Sequence, residues 1–177
     1  MKDEPKRTHL SSFIPRPSSF MSYSLFHTTV QEAWIDYNGH MNAGYYNVVI
    51  DQAAEQLIKD FGGIEYMERT SGTFYSVETH IVYSAELKLG DPIRVETQIV
   101  SLDRKRLHVF STLYHGEQGY IAASGETMML HYVQNVTSVL PMPDDFYADV
   151  EAIAQQHADL PIPDAVGRAV RAVKKKA

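Results

Sequence analysis

Apolar residues recur at helical spacing in one long stretch of the chain and in alternation over four others, and the two periods divide it into elements. Between Ala43 and Phe61 they fall at Ala43, Tyr46, Val49, Ile50, Ala53, Ala54, Leu57, Ile58 and Phe61, a stripe that predicts one long helix. Asn42 stands at the N-cap position and Gly62-Gly63 supplies a stop. Ser24 to Ala33 reads as a strand before the helix. After a short irregular stretch, further strands are predicted at roughly Thr73–Leu87, Ile93–Leu102, Leu107–Tyr114 and Tyr120–Val133. Gly90-Asp91-Pro92, Asp103-Arg104 and Gly116 to Gly119 mark the turns between them.

In the first of these four strands, alternation puts Tyr75, Val77, Ile81, Tyr83, Ala85 and Leu87 on one face. Ser76, Glu78, His80, Ser84 and Glu86 fall on the other. Short connections favour antiparallel neighbours. A single helix cannot cover both faces of such a sheet. The expected architecture is therefore α+β, an antiparallel sheet wrapped around one long central helix, with polar strand faces left for solvent or a partner subunit. Pro141 and Pro143 then lead into a helix expected at Asp145–His157, followed by Leu160-Pro161-Ile162-Pro163 and a short amphipathic end. The division is a flexible N-terminal arm at 1–22, a globular domain at 23–140, and a C-terminal helical extension with a basic tail at 141–177.

Composition narrows the classes. At 177 residues, with 44% hydrophobic and 21% charged, the chain fits one globular domain. Its net charge of −6 argues against general nucleic-acid binding. No apolar run approaches the roughly 20 residues of a membrane span. Met1 to Ser22 is polar, broken by Pro5, Pro15 and Pro17, and lacks the apolar region of a signal peptide, so a cytoplasmic protein is expected. With zero cysteines, disulfides, thiolate zinc sites and a cysteine nucleophile are excluded. Two basic clusters stand out, Arg104-Lys105-Arg106 and Lys174-Lys175-Lys176. The second reads as a solvated tail, the first as a charged hairpin turn able to touch a phosphate.

The chemistry concentrates in Trp34-Ile35-Asp36-Tyr37-Asn38-Gly39-His40-Met41-Asn42. One carboxylate, one imidazole and two carboxamides share a glycine-hinged turn that enters the helix. A helix N-terminus carries partial positive charge, a favourable place for chemistry on a carbonyl. Competing chemistries lack their motifs. There is no G-x-S-x-G pentapeptide, no phosphate loop and no dinucleotide fingerprint. No two of the eight histidines stand three to five residues apart, so a compact helical metal motif is absent and no metal is expected.

Asp36-x-x-Gly39-His40-Met41-Asn42, followed by Tyr46 and Asp51 on the helix, resembles the D-x-x-G-H-x-N signature of hotdog-fold acyl-CoA thioesterases, 4-hydroxybenzoyl-CoA thioesterase-like group. The resemblance runs from about Phe26 to Val133. Val30–Asn42, Tyr75–His80 and Leu160–Arg168 are further similar to the thioesterase domain found with carnitine dehydrogenases, which implies betainyl-CoA hydrolysis in carnitine breakdown. The family implies a homodimer or dimer of dimers acting on acyl-CoA without a cofactor, coenzyme A being part of the substrate.

The resemblance assigns Asp36 as nucleophile or as the base that activates water, with His40 and Asn42 beside it. Taken alone, Asp36 would be a turn residue and Asn42 a cap. His40 would orient Asp36, donate to the thioester, or only stabilise the turn. Backbone N–H groups near Ala43 and Gly44 are the expected oxyanion donors. Asp51 on the helix is the reserve carboxylate, although with Glu55 it reads first as a solvated face. Trp34, Tyr45 and Tyr75, with Tyr37, Tyr46 and Phe74, offer rings that could hold a quaternary ammonium or simply pack as core. Glu78 and His80 are candidate substrate contacts across a subunit boundary, or else an exposed polar face. Arg104, Lys105 and Arg106 are the candidates for coenzyme A phosphates. Two other readings stay open, a non-catalytic acyl-CoA-binding hotdog module and a hotdog hydratase or dehydratase.

Overall fold

A computed structural model describes residues 23–168. The N-terminal arm expected at 1–22 and the basic tail at Lys174–Lys176 lie outside these residues. Six antiparallel strands form the sheet: β1 (Ser24–Thr29), β2 (Gly72–Tyr83), β3 (Pro92–Leu102), β4 (Arg106–His115), β5 (Ile121–Val133) and the short β6 (Ser138–Val139). Their order is β1-β3-β4-β5-β2, with β6 pairing off β5. Helix α1 (Ala43–Asp60) lies along the inner face, α2 (Gly63–Thr70) follows at once, and α3 (Asp144–His157) comes after the sheet.

The helical stripe is the reason α1 sits where it does. Tyr46, Val49, Ile50, Ala53, Ala54 and Leu57 are all buried, and they divide the core in two. Toward the helix start they meet Val30, Trp34, Met41, Leu87, Val95, Leu113 and Ala123. Toward its end, Ala54 and Leu57 meet Phe61, Tyr66, Phe74, Leu107, Met129 and Phe146. The close approach of helix to sheet depends on Gly125 of β5, where a Cβ would stand 2.8 Å from Ile50 Cδ1.

Three expectations need correction. The first strand ends at Thr29 rather than Ala33, and Glu32–Trp34 forms a 3-10 turn that drops Trp34 into the core. The stretch after Gly63 is not irregular. Gly62 ends α1 and α2 begins directly, with Glu65 in its first turn, Arg69 in its last and Tyr66 buried, an arrangement the helix dipole favours. The long β2 strand does not keep one buried face either. A bulge between Ser76 and Glu78 shifts its register on β5, so Phe74 before the bulge and Ile81 after it both reach the core side. Tyr75, Val77 and Tyr83, expected to be buried, are 44%, 56% and 52% exposed. The strand stops at Tyr83, and Leu87 plugs the core from an irregular segment.

Residues 158–168 continue past α3 across the outer face of the sheet. The Gln98 side-chain amide of β3 donates to Pro161 O at 3.4 Å, and Gly167 N–H donates to Glu126 Oε2 of β5 at 2.8 Å.

Candidate active site

The nine-residue segment closes on itself as a turn. Ile35 and Met41 form an antiparallel bridge, Asp36 N–H donates to His40 O at 2.9 Å, and Gly39 N–H donates to Asp36 O at 3.0 Å. Gly39 has φ +79°, backbone that a Cβ would strain, so glycine is needed at this corner. Asp36 Oδ1 accepts the Asn38 N–H at 2.8 Å, leaving its second oxygen for the cavity. Asn42 caps α1, its Oδ1 accepting the Gly44 N–H at 2.9 Å. That bond commits the Gly44 donor. Ala43, the first helical residue, faces the cavity, and Gly44 is not among its lining residues.

The cavity has a volume of about 390 Å³, and Asp36, Asn38, His40, Met41, Ala43, Tyr46, Tyr83, Ser84, Ala85 and Glu86 line it. The motif turn, the start of α1 and the segment leaving β2 make its walls. Met41 N–H donates to Leu87 O at 2.8 Å, which ties the motif turn to the segment leaving β2. Tyr46 ties the same segment to the helix, its hydroxyl donating to Ala85 O at 3.3 Å and accepting the Leu87 N–H at 3.1 Å. Burial pushes the Tyr46 phenol above its ordinary value, with the Leu87 hydrogen bond pulling the other way. Tyr83 packs edge-on to Tyr46 at 5.4 Å, and its hydroxyl donates to Ala43 O at 3.2 Å. Glu86 pairs with His40, Oε2 to Nε2 at 3.0 Å.

Asp36, His40 and Ala43 thus line one cavity, and Asn42 serves as the cap. The other candidates go elsewhere. Trp34 stacks on Tyr45 at 5.6 Å as part of the core, because the 3-10 turn points the indole inward. Tyr37 is 97% exposed at the turn tip. Tyr75 stacks on Tyr132 at 4.8 Å and lines a different groove of about 390 Å³ with Asp51 and Glu55. Glu55 also pairs with Lys59 at 2.8 Å. Glu78 and His80 line a third recess, of about 310 Å³, with His108, Glu126 and Arg168.

The basic turn is at the far end of the sheet. His131 N–H of β5 bonds Lys105 O, whereas the cavity segment hangs from Ala122 O of the same strand. Nine residues of extended strand separate those points, about 30 Å. Arg104 pairs with Asp144 at 2.7 Å and lies over the Tyr147 ring, and Arg106 is held by Asp103, whose carboxyl it keeps below the usual carboxylate range. Within one chain these residues do not reach the Asp36 cavity.

Glu86 and Tyr83 were not singled out from sequence. Glu86 was visible only as one of several polar residues on an alternating face, and nothing local pairs it with His40. Among the described residues, no cluster of three or more His, Cys, Asp or Glu side chains could hold a metal. No helix among them is long and apolar enough to cross a membrane.

Residues 30–150 match the family model of the thioesterase-like superfamily. The chain belongs to that family. The match covers the motif turn, α1 and strands β2 to β6. Betainyl-CoA thioesterase of Pseudomonas aeruginosa is 34% identical over 146 residues, which cover 82% of this chain and 92% of that one. The L-carnitine dehydrogenase/betainyl-CoA thioesterase of Rhizobium meliloti is 37% identical over 147 residues, but the chain spans only 29% of its length. A Staphylococcus aureus protein solved in complex with CoA superposes with TM-score 0.78 at 26% identity, covering 86% of this chain and 96% of that one. A thioesterase candidate of Pseudomonas putida superposes with TM-score 0.73 at 30% identity, covering 84% and 96%. The curled antiparallel sheet around α1 is the hotdog fold of such enzymes, and this thioesterase-family chain carries its D-x-x-G-H-x-N turn intact.

Proposed function

We propose that the chain hydrolyses the thioester of a small cationic acyl-CoA, betainyl-CoA or a close chemical analogue, to the free acid and CoA. The cavity itself carries the reading. Among the described residues, its walls hold the Asp36 carboxylate ahead of the helix start, a second carboxylate and two tyrosines, with no lysine or arginine. Asp36 attacks the carbonyl or takes a proton from the water that does. Ala43 N–H, at the positive end of α1, supports the developing oxyanion. A trimethylammonium beside the half-exposed Tyr83 ring gains about 0.5–2 kcal/mol from a good cation–π contact. The names of the relatives point to the same acyl group. No cofactor is required, because CoA arrives as part of the substrate.

The reading includes a homo-oligomer. Strand β2 is a sheet edge 12 residues long, carrying the exposed Tyr75, Val77 and Tyr83, and such an edge is normally paired or covered.

A thiol-release assay over a panel of acyl-CoAs tests the proposal. Betainyl-CoA should give the highest kcat/KM. It should exceed its uncharged carbon isostere, 3,3-dimethylbutyryl-CoA, by about tenfold, the scale of one good cation–π contact. Slow turnover of betainyl-CoA beside fast aromatic or fatty substrates would remove the cationic reading. Tight binding of every acyl-CoA without thiol release would make the chain a binding module.

A further inference from the structure

The Asp36 cavity holds a carboxylate that the hydrolysis above leaves without a chemical role. Glu86 Oε2 lies 3.0 Å from His40 Nε2, with the side chains 69% and 30% exposed. An ion pair that open contributes little to stability, so its meaning has to be sought in geometry. Both partners are held from behind. Met41 N–H donates to Leu87 O at 2.8 Å, binding together the residues that follow His40 and Glu86. The Tyr120 hydroxyl donates to Glu86 O at 2.9 Å, and Ser84 and Ala85 both donate their N–H groups to Ala122 O. His40 O in turn accepts the Asp36 N–H, so the imidazole and the Asp36 carboxylate ride on the same closed turn.

A carboxylate on one ring nitrogen fixes a hydrogen there and sets the plane of the imidazole. With Nε2 engaged by Glu86, Nδ1 is the nitrogen left to serve the cavity that His40 lines. Thioester hydrolysis has a need for it. The sulfur departs with the electron pair of the C–S bond, and an alkyl thiol resembles cysteine, whose pKa is about 8.5, so it leaves more readily as the thiol.

We propose that Glu86 is a positioning residue, holding His40 so that its Nδ1–H protonates the departing thiolate. The proposal rests on the reading of Asp36 as the hydrolytic carboxylate. Asp36 takes one proton of water as the water oxygen bonds to the carbonyl carbon. The C–S bond then breaks with its pair going to sulfur, and sulfur takes the proton from the His40 imidazolium. The proton on Asp36 passes through solvent to His40, which restores both groups and leaves acid and thiol as products.

A change of leaving group separates this role from a structural one. Each variant is assayed on two thioesters of one acyl group, the CoA ester and a 4-nitrothiophenol ester whose thiolate needs no proton. On the CoA ester, His40→Gln should lower kcat about 100-fold and Glu86→Gln about tenfold, with KM within about twofold. On the aryl ester both losses should shrink to within about threefold. Glu86→Asp should recover part of the loss on the CoA ester, and the double variant His40→Gln/Glu86→Gln should be no worse than His40→Gln. Equal losses on both esters would overturn the proposal in favour of a folding role. A rise in KM confined to cationic acyl groups, with kcat unchanged, would overturn it in favour of a substrate contact. Asp36→Asn should lose turnover of both esters; retained turnover there would defeat the Asp36 reading instead.

Discussion

The Tyr46 hydroxyl and the Leu87 amide, 3.1 Å apart, join the first turn of α1 to the segment that forms the far wall of the cavity. Tyr46 is only 4% exposed and Leu87 is fully buried, so the amide has no access to water once the hydroxyl is removed. Tyr46→Phe should cost about 1–3 kcal/mol, the penalty of a buried orphan donor, read from urea unfolding. It should also lower kcat/KM, because Ala85 and Glu86 lose the bond that holds them against the helix.

The same hydroxyl predicts an alkaline limb. Burial raises the Tyr46 pKa in the fold above its ordinary value of 10.0. A raised folded pKa means the native state holds this proton more tightly than the unfolded chain. The associated stability is therefore fully present below about pH 10 and is lost as the pH rises toward the folded value. Tyr46→Phe, though less stable at neutral pH, should show a shallower fall in unfolding free energy above pH 10. An unchanged slope would mean that another group dominates that limb.

Asp36→Asn separates chemistry from turn formation. The Asn38 N–H that Asp36 Oδ1 accepts can be accepted equally by a carboxamide oxygen, so the turn and the fold should persist. Thiol release should fall by at least about 100-fold, since a carboxamide is neither base nor nucleophile at neutral pH. A melting temperature near wild type together with that loss is the expected pair of results. Turnover near wild type would remove Asp36 from the mechanism.

Asn42 should behave as a cap. Asn42→Ala removes the acceptor of the Gly44 N–H and should cost about 1 kcal/mol, whereas Asn42→Ser should retain most of the stability. If Asn42→Ser kept its stability yet lost turnover as severely as Asp36→Asn, Asn42 would have to contact the substrate as well.

What could be read in the sequence was local. The apolar stripe of α1, the Asn42 cap and the turn from Asp36 to Asn42 depend on neighbours within one or two helical turns, and the structure shows all three. Strict alternation groups Tyr75 and Val77 with Ile81 on β2, but the bulge that reverses it arises from pairing with β5 and leaves no signature residue. Tertiary packing also chose among the rings. Trp34 and Tyr45, both within nine residues of Asp36, stack in the core, while Tyr83, almost fifty residues away, lines the cavity. The His40–Glu86 pair belongs to the same class of information: it exists only because the segment after β2 is hydrogen-bonded to the motif turn.

The contact between Gly125 and Ile50 offers a packing test that leaves the cavity untouched. A Cβ at position 125 would meet Ile50 Cδ1 at 2.8 Å and Cγ2 at 3.0 Å, both side-chain atoms and neither of them backbone. Gly125→Ala should therefore destabilise the protein by about 1–3 kcal/mol through overpacking between β5 and α1. Ile50→Val deletes Cδ1, the nearer of the two atoms. Alone it should cost about 0.5–1.5 kcal/mol. In the Gly125→Ala background the same change relieves the overlap, so it should cost less than it does alone or restore stability outright. A double-mutant cycle by urea unfolding measures that coupling. Strictly additive costs would mean that α1 shifts as a body to admit the methyl group. The motif turn would then move with it, and thiol release would fall along with stability.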